Sequence, residues 1–498
     1  MSCSLKSKTV HALFWSFFER IGQQGIQLII SIILARLLLP KQFGLIAMLA
    51  IFMAVAEAFL NSGFREALIQ KKDATYTDEC SIFYFNILVG IACAGLLCLV
   101  APLIGSFYEA PVLVPLTRLL SLNLVFNAFA IVHLAILSRR VDFKTQMKTT
   151  AIATTLSGII GITMAYRGLG VWSLVAQSLS SNLFRTILLW IFHRWRPALR
   201  FSFASLRTMF SFGSKLLLSG ILDTFFQNIY LLVIGKIFTP AALGFYSRAK
   251  KLQELPIQNI NSPVRRVTFP VFSSIHEDKP RLKQGVRKAV MTLAMMNFPM
   301  MIGLAVIAKP LVLVLLTDKW LPCVPYLQLF CVVGMLYPLH VINLNVLIAQ
   351  GRSDLFLRLE VFKKILVVIA IAVTYRWGIQ AMIYGQIGVS ILGYYLNSYY
   401  TGRLIRYPLK EQVFDLLAYL GMAVVMGIGV YSLQLLPFPN NWSLLISQVL
   451  AGVIIYCAMN LIFRTSAFFE IVEIVKHKPR PITAHLDIKL EGTYEFDR

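Results

Sequence analysis

Acid is scarce in this chain. Only 23 of its 498 residues are Asp or Glu, against 47 Lys and Arg, and all charged residues together make up 14%. With 57% apolar residues and a mean hydropathy of +0.71, too little polar surface remains to cover a water-soluble globule of this length. Cysteine is sparse too. Cys3, Cys80, Cys93, Cys98, Cys323, Cys331 and Cys457 form no C-x-x-C pair and mostly lie in apolar stretches, so they imply no disulfide framework and no metal site. G-x-x-x-x-G-K-[ST], H-E-x-x-H and G-x-S-x-G are all missing. The chain is therefore expected to be no enzyme, to use no cofactor and to carry no ATPase of its own.

Long apolar runs are what it has. Most measure 18 to 25 residues, the length a helix rising ~1.5 Å per residue needs to cross ~30 Å of hydrocarbon. Spans fall near 12–35, 43–63, 80–104, 115–137, 149–166, 171–192, 213–237, 286–308, 323–349, 361–376, 378–400, 413–435 and 443–463, thirteen by hydropathy. The connections holding Arg139, Arg140, Lys144 and Lys148, then Arg194, Arg196, Arg200 and Arg207, then Arg352, Arg358, Lys363 and Lys364, then Arg403, Arg406 and Lys410 are basic. By the positive-inside rule they belong in the cytoplasm. The others are short and poor in cations. The span at 213–237 leaves the basic side and the one at 286–308 starts on it again, beside Lys279, Arg281, Lys283, Arg287 and Lys288. Residues 241–273 must then cross as well. The expected fold is an all-α polytopic membrane protein of about fourteen transmembrane helices with both termini cytoplasmic. Lys6 and Lys8 precede a run broken by Glu19 and Arg20, which reads as a first span rather than a cleaved signal peptide. Scattered between spans, the net charge of +24 suits anionic membrane lipids, at ~1 kcal/mol per residue, and not nucleic acid.

A duplication runs through the chain. Arg36, Pro40, Phe43 and Gly44 are matched 200 positions on by Lys236, Pro240, Leu243 and Gly244. Pro102-Leu103 answers Pro310-Leu311, and Tyr166-Arg167 with Gly170 answers Tyr375-Arg376 with Gly378, at offsets of 208 or 209. Six spans per copy is an even number, so the copies run parallel about an axis along the membrane normal, a transporter design with its binding site between the halves. Residues 1–210 and 211–405 are the expected lobes, with two further helices in 406–465 and a cytoplasmic tail at 466–498.

Polar residues inside the spans are concentrated in the first two of each lobe. Glu19, Arg20, Gln23, Gln24 and Gln27 lie in the first, Glu57 and Asn61 in the second, and Lys215, Ser219, Asp223 and Gln227 in the seventh. In the eighth, Ser247, Lys251, Glu254, Gln258, Asn261 and Arg265 recur at spacings of four and three, which sets all six on one helical face. Arg248 and Lys250 stand beside that face. Each charge at mid-bilayer costs ~2.5 to 3.5 kcal/mol on insertion scales and needs a reason. Three readings remain: a lined path, pairing that only stabilises helix packing, or a helix lying flat on the membrane surface. Pro256 and Pro263 are expected to kink this helix, and His133 and His340 to be packed polar residues.

The stretches Leu34-Ala35-Arg36-Leu37-Leu38 through Pro40 to Phe43-Gly44, Gly63-Phe64, Ile69-Gln70-Lys71-Lys72-Asp73, Gly244-Phe245-Tyr246-Ser247-Arg248-Ala249, Phe269-Pro270 and Leu329-Phe330-Cys331-Val332-Val333-Gly334 carry a resemblance. From about 10 to 465 the chain resembles the polysaccharide-transporter branch of the multidrug/oligosaccharidyl-lipid/polysaccharide superfamily, and most nearly its Wzx-type flippases. The resemblance implies a two-lobed, MATE-like bundle in the bacterial inner membrane. It also implies a substrate, a glycan on undecaprenyl pyrophosphate, whose partners include the glycosyltransferases and polymerase that build and extend it. Such a headgroup needs a wet cationic cleft, since each unsatisfied polar group costs ~2 to 7 kcal/mol in hydrocarbon. Arg20, Arg248 and Lys251 are the candidates for holding the pyrophosphate. Gln23, Gln27, Asn61, Gln227, Glu254, Gln258 and Asn261 are candidates for the polar lining, and Glu19, Glu57 and Asp223 for coupling to proton or ion uptake. A lipid II flippase and a cation or drug antiporter of the same superfamily remain alternatives. A membrane glycosyltransferase or polymerase would need a larger outward loop.

Overall fold

The computed structural model describes residues 22, 24–61, 68, 74–140 and 142–476, without the side chains of 208–216, 260–267, 471 and 474–476. These residues form helices and no strand. In chain order they are α1 (Gln24–Leu37), α2 (Pro40–Asn61), α3 (Tyr76–Phe107), α4 (Leu113–Arg139), α5 (Phe143–Tyr166), α6 (Val171–Phe192), α7 (Phe203–Ile237), α8 (Pro240–Ser274) and α9 (Lys279–Val306). The short α10 (Ala308–Leu315) and a 3-10 turn (Asp318–Cys323) follow, then α11 (Val324–Ala349), α12 (Ser353–Thr374), α13 (Ile379–Ile405), α14 (Leu409–Ser432), α15 (Asn441–Ile462) and α16 (Ser466–Lys476).

Among the described residues nine helical segments are both long and apolar enough to cross a membrane. From 24 onward, among the described residues, the expected spans are met by helices, including the polar eighth, where α8 runs unbroken for 35 residues through Pro256 and Pro263; residues 12–21 and 23 of the first lie outside the described residues. At ~1.5 Å per residue, that is more than a bilayer's thickness. Several helices outrun their hydropathy windows. α12 begins at Ser353 and α9 at Lys279, because backbone hydrogen bonding continues past the charges at which hydropathy stops. Arg358, Lys363 and Lys364 are thus helical, and the connection they were read into shrinks to residues 350–352.

Capping fixes several starts. Thr75 and Asp78 form a reciprocal capping box on α3, and Asp142, Ser202, Asp278 and Asn440 each accept from a backbone amide three residues on. The chain divides into two compact units. One comprises 1–255, 308–330 and 362–389. In it α3 packs on α4, α5 on α6 and α2 on α7, over a core that includes Phe83, Val132, Ile136 and Trp195. The other comprises 256–307, 331–361 and 390–498. Here α9 packs on α14, over a core that includes Phe272, Val290, Phe298 and Tyr419. α16 is held to that unit by buried Ala467 and by Glu470, 2.8 Å from Lys288 Nζ.

Candidate functional site

Two features of the first unit bear on function: a tightly closed end and a polar face. The closed end gathers the α1–α2, α7–α8 and α10–α11 connections. Here the sequence repeat becomes a contact between its two copies. A Cβ on Gly44 would stand 1.6 Å from the carbonyl oxygen of Pro240, and one on Gly244 would stand 2.1 Å from that of Pro40. The first turns of α2 and α8 therefore touch through backbone, each glycine under the other copy's proline, as in a self-complementary twofold interface. Only glycine leaves room for that approach.

Around this crossing the 3-10 turn is locked down. Trp320 is fully buried and donates from Nε1 to Ala35 O at 2.8 Å, with its ring edge-on to Phe43 and Phe245. Arg36 donates through Nε to Leu315 O at 3.0 Å and through Nη2 to Val314 O, and Lys319 Nζ returns a 2.5 Å bond to Arg36 O. These cations fill the orphan carbonyls at the end of α10 and α1. Beside them Lys236 meets Glu109 at 2.8 Å, and this holds the exposed Glu109 carboxyl below its ordinary range.

Arg248 belongs to this closure. It is 7% exposed, donates to Ser31 Oγ at 2.6 Å, and has its guanidinium 4.5 Å from the Phe43 ring centre and 5.3 Å from that of Trp320. In this placement the guanidinium, expected to hold phosphate, is buried against two rings and bonded to Ser31. One residue along a helix turns ~100°, so the neighbour of a polar stripe can point into the packing.

Along α7 and α8 lies the polar face. On α7, Ser219, Asp223 and Gln227 are all exposed, each one turn from the next. On α8 the stripe runs from half-buried Ser247 to exposed Lys251, half-buried Glu254 and exposed Gln258. Lys250 bridges the two helices, with Nζ 3.4 Å from Gln227 O and 3.9 Å from Glu254 Oε1. Lys251 makes no ion pair among the described residues. Lys364 of α12 completes the group, its Nζ 2.6 Å from Asp223 Oδ1. Gln27 on α1 and Asn61 on α2 are exposed. Glu19, Arg20 and Gln23 lie outside the described residues, as do the side chains of Asn261 and Arg265.

Glu57 is half-buried and marks a cluster that hydropathy passed over. It lies close enough to Arg185 of α6 to feel its charge. Arg185 donates to Asn127 Oδ1 and, at 3.1 Å, to Asn182 Oδ1; Asn182 donates in turn to Asn123 at 2.9 Å, and Asn123 to Ser178 Oγ at 3.0 Å. The signal was available: Asn123 and Asn127, and Ser178, Asn182 and Arg185, keep the same spacings of four and three. His133 is buried among Trp190, Trp195 and His193, with its Nδ1 2.9 Å from that of His193. His340 bonds Ser390 and Asn397. Both histidines are packed polar groups.

Residues 33–325 match the family described as polysaccharide biosynthesis protein. The chain belongs to that family. It is 29% identical over 396 residues to the lipopolysaccharide biosynthesis protein WzxC of Escherichia coli, covering 78% of each chain. It is 31% identical over 303 residues to the teichuronic acid biosynthesis protein TuaB of Bacillus subtilis, covering 60% of this chain and 62% of that one. Among solved structures, the lipid II flippase MurJ in an inward closed conformation aligns at a TM-score of 0.73 with 13% identity, covering 93% of this chain and all of that one. An inward-facing MATE multidrug transporter of the MOP superfamily aligns at 0.61 with 15% identity, over 77% of this chain and 96% of that one. These likenesses show the fold: this member of the polysaccharide biosynthesis family is a multi-pass helical membrane protein with the architecture of MOP transporters.

Proposed function

We propose that this protein is a flippase that carries an undecaprenyl-pyrophosphate-linked oligosaccharide from the cytoplasmic to the outer face of the bacterial inner membrane, for exopolysaccharide or lipopolysaccharide synthesis. Alternating access of the lobes 1–210 and 211–405 moves the substrate, and both chain termini are cytoplasmic. The observation that carries this reading is the cation-bearing face of α7 and α8 in a member of a polysaccharide biosynthesis family. Lys251, exposed and without an ion-pair partner among the described residues, is an open point charge for a phosphate. Lys251 and Arg20 hold the pyrophosphate, Gln27, Asn61, Gln227, Glu254, Gln258 and Asn261 face sugar hydroxyls, and the polyprenyl chain stays in lipid. On this reading the end built around Gly44 and Gly244 faces outward, and the substrate is loaded from the cytoplasm. Transfer of an anion outward is favoured by an inside-negative potential at ~2.3 kcal/mol per charge per 100 mV. Glu57 and Glu19 are the carboxylates for proton or ion coupling, and the enzymes that assemble and polymerise the glycan are the functional partners.

A drug or cation antiporter would want acidic groups here, and the face holds three lysines against Asp223 and Glu254. The test is Lys251→Ala in the native host. Surface polysaccharide is expected to fall at least tenfold and the lipid-linked unit to accumulate, with the protein at its normal membrane level and growth preserved. Loss of growth with arrested peptidoglycan synthesis would instead mark a lipid II flippase. Unchanged polysaccharide would remove the assignment of Lys251.

A further inference from the structure

The polar face has one cation to spare, and its proposed cargo has more than one charge. Lys250 is engaged by Glu254 and by the Gln227 carbonyl, and Lys364 by Asp223, which leaves Lys251 without an ion pair among the described residues. A diphosphate linking a lipid to a sugar carries two negative charges in a stretch of chain where uncompensated charge is costly. Beyond Lys251 and Arg20, a cation that exchanges its own counter-ion for the headgroup would strengthen the neutralisation.

Lys364 and Asp223 have the form of such a pair. Lys364 stands eleven residues into α12, or ~16 Å along the helix axis, where the apolar run of that helix begins. Its side chain is 16% exposed, its Nζ is 5.6 Å from the Phe226 ring centre, and Asp223 is its one ion-pair partner among the described residues. The two members are unequally placed: the carboxylate is 51% exposed while the ammonium is sheltered. In the Arg287–Asp415 pair of the second unit the order is reversed, with the carboxylate 4% exposed and the cation 44%. In the Lys364–Asp223 pair the carboxylate sits on the open side, at the position an incoming anion would take. One turn along α7, Gln227 already presents its carbonyl to Lys250, so the α7 stripe is met by lysines from two other helices.

Resting on the flippase reading above, we infer that Lys364 is a second diphosphate-binding residue of the translocation path and that Asp223 is its exchangeable counter-ion, displaced by the headgroup as it binds. Asp223 thus acts as a placeholder that keeps Lys364 neutralised while the site is empty. It also sets specificity, because a neutral or cationic amphiphile gains nothing by displacing a carboxylate from an ammonium.

The experiment uses the purified full-length protein and farnesyl diphosphate as probe, read by intrinsic tryptophan fluorescence, with thermal unfolding measured in parallel. Lys364→Ala is expected to weaken probe binding about tenfold, Lys364→Arg to retain most of it, and Asp223→Asn to tighten it several-fold by freeing the ammonium. Asp223→Asn combined with Lys364→Ala should bind like Lys364→Ala alone. If Lys364→Ala and Asp223→Asn both lower the unfolding temperature and leave affinity unchanged, the pair is a helix clamp and the inference fails. If Lys251→Ala weakens binding and Lys364→Ala does not, the flippase reading stands and only this inference falls. Absence of diphosphate binding by the unaltered protein would overturn the flippase reading itself.

Discussion

Gly44→Ala is expected to leave the protein in the membrane and to stop export. The added methyl carbon would stand 1.6 Å from the Pro240 carbonyl oxygen and 2.5 Å from its carbon, both backbone atoms that no rotamer change can move aside. The first turns of α2 and α8 must separate, and with them the layer formed by Phe43, Trp320 and Arg248. Overpacking of a tight contact costs ~1 to 3 kcal/mol, and ~3 kcal/mol spent against one of two conformations shifts their ratio about a hundredfold. Gly244→Ala should act alike, since its methyl meets the Pro40 carbonyl at 2.1 Å. Cys323 reports on the outcome from within, being fully buried at this end. In a protein whose other six cysteines are replaced, a membrane-impermeant maleimide should label Cys323 at least ten times faster in either glycine variant than in the parent. Gly95→Ala, where a Cβ meets nothing within 4 Å, is the control and should label like the parent. Protection of Cys323 in both variants would show that the contact is not what holds this end shut.

Much of this architecture is legible in the residues alone, and the exceptions share a cause. The match of Pro40 and Gly44 with Pro240 and Gly244 identified a repeat, and the structure turns that repeat into a contact between the copies. The spacing of Ser247, Lys251, Glu254 and Gln258 identified a helix where hydropathy showed none, because periodicity survives when mean apolarity does not. The placement of Arg248 is not legible in the same way: one residue along a helix turns ~100°, and the face next to the stripe is the packed one. Lys364 was assigned to a loop because its stretch also holds Arg358 and Lys363, and composition cannot distinguish the end of a helix from the end of its apolar run. Arg185 went unnoticed for the opposite reason. A single cation in a 22-residue span that also holds Gln177, Ser178 and Asn182 does not stand out by itself, and its meaning comes from Asn127 and Asn182 lying against it.

Replacing Arg287 with alanine should produce the largest loss of stability in the second unit. Asp415 is almost fully buried and takes two hydrogen bonds from Arg287, at 2.8 and 2.6 Å, and a third from the Tyr407 hydroxyl at 2.8 Å. Next to it the buried Gln412 carbonyl collects bonds from Asn343, Tyr394 and Ser398, while its amide donates to Tyr407 O at 3.0 Å. This network joins α9, α11, α13 and α14 through groups that have few substitutes for one another. Without Arg287 the largely buried Asp415 carboxylate keeps one neutral donor, and breaking a buried pair from one side costs up to ~3 to 5 kcal/mol. Asp415→Ala should cost less, ~2 to 3 kcal/mol, because the Arg287 side chain is 44% exposed and can turn to solvent. In the double variant with Arg287→Met and Asp415→Leu neither charge is stranded, so its loss should be smaller than the sum of the single losses by at least ~1 kcal/mol. Thermal unfolding of the purified protein measures all three. Additive losses would mean that the two side chains act independently and that the network is not cooperative. Export per correctly inserted molecule should stay near the parent level in each variant, since none of these groups lies on the cation-bearing face of α7 and α8.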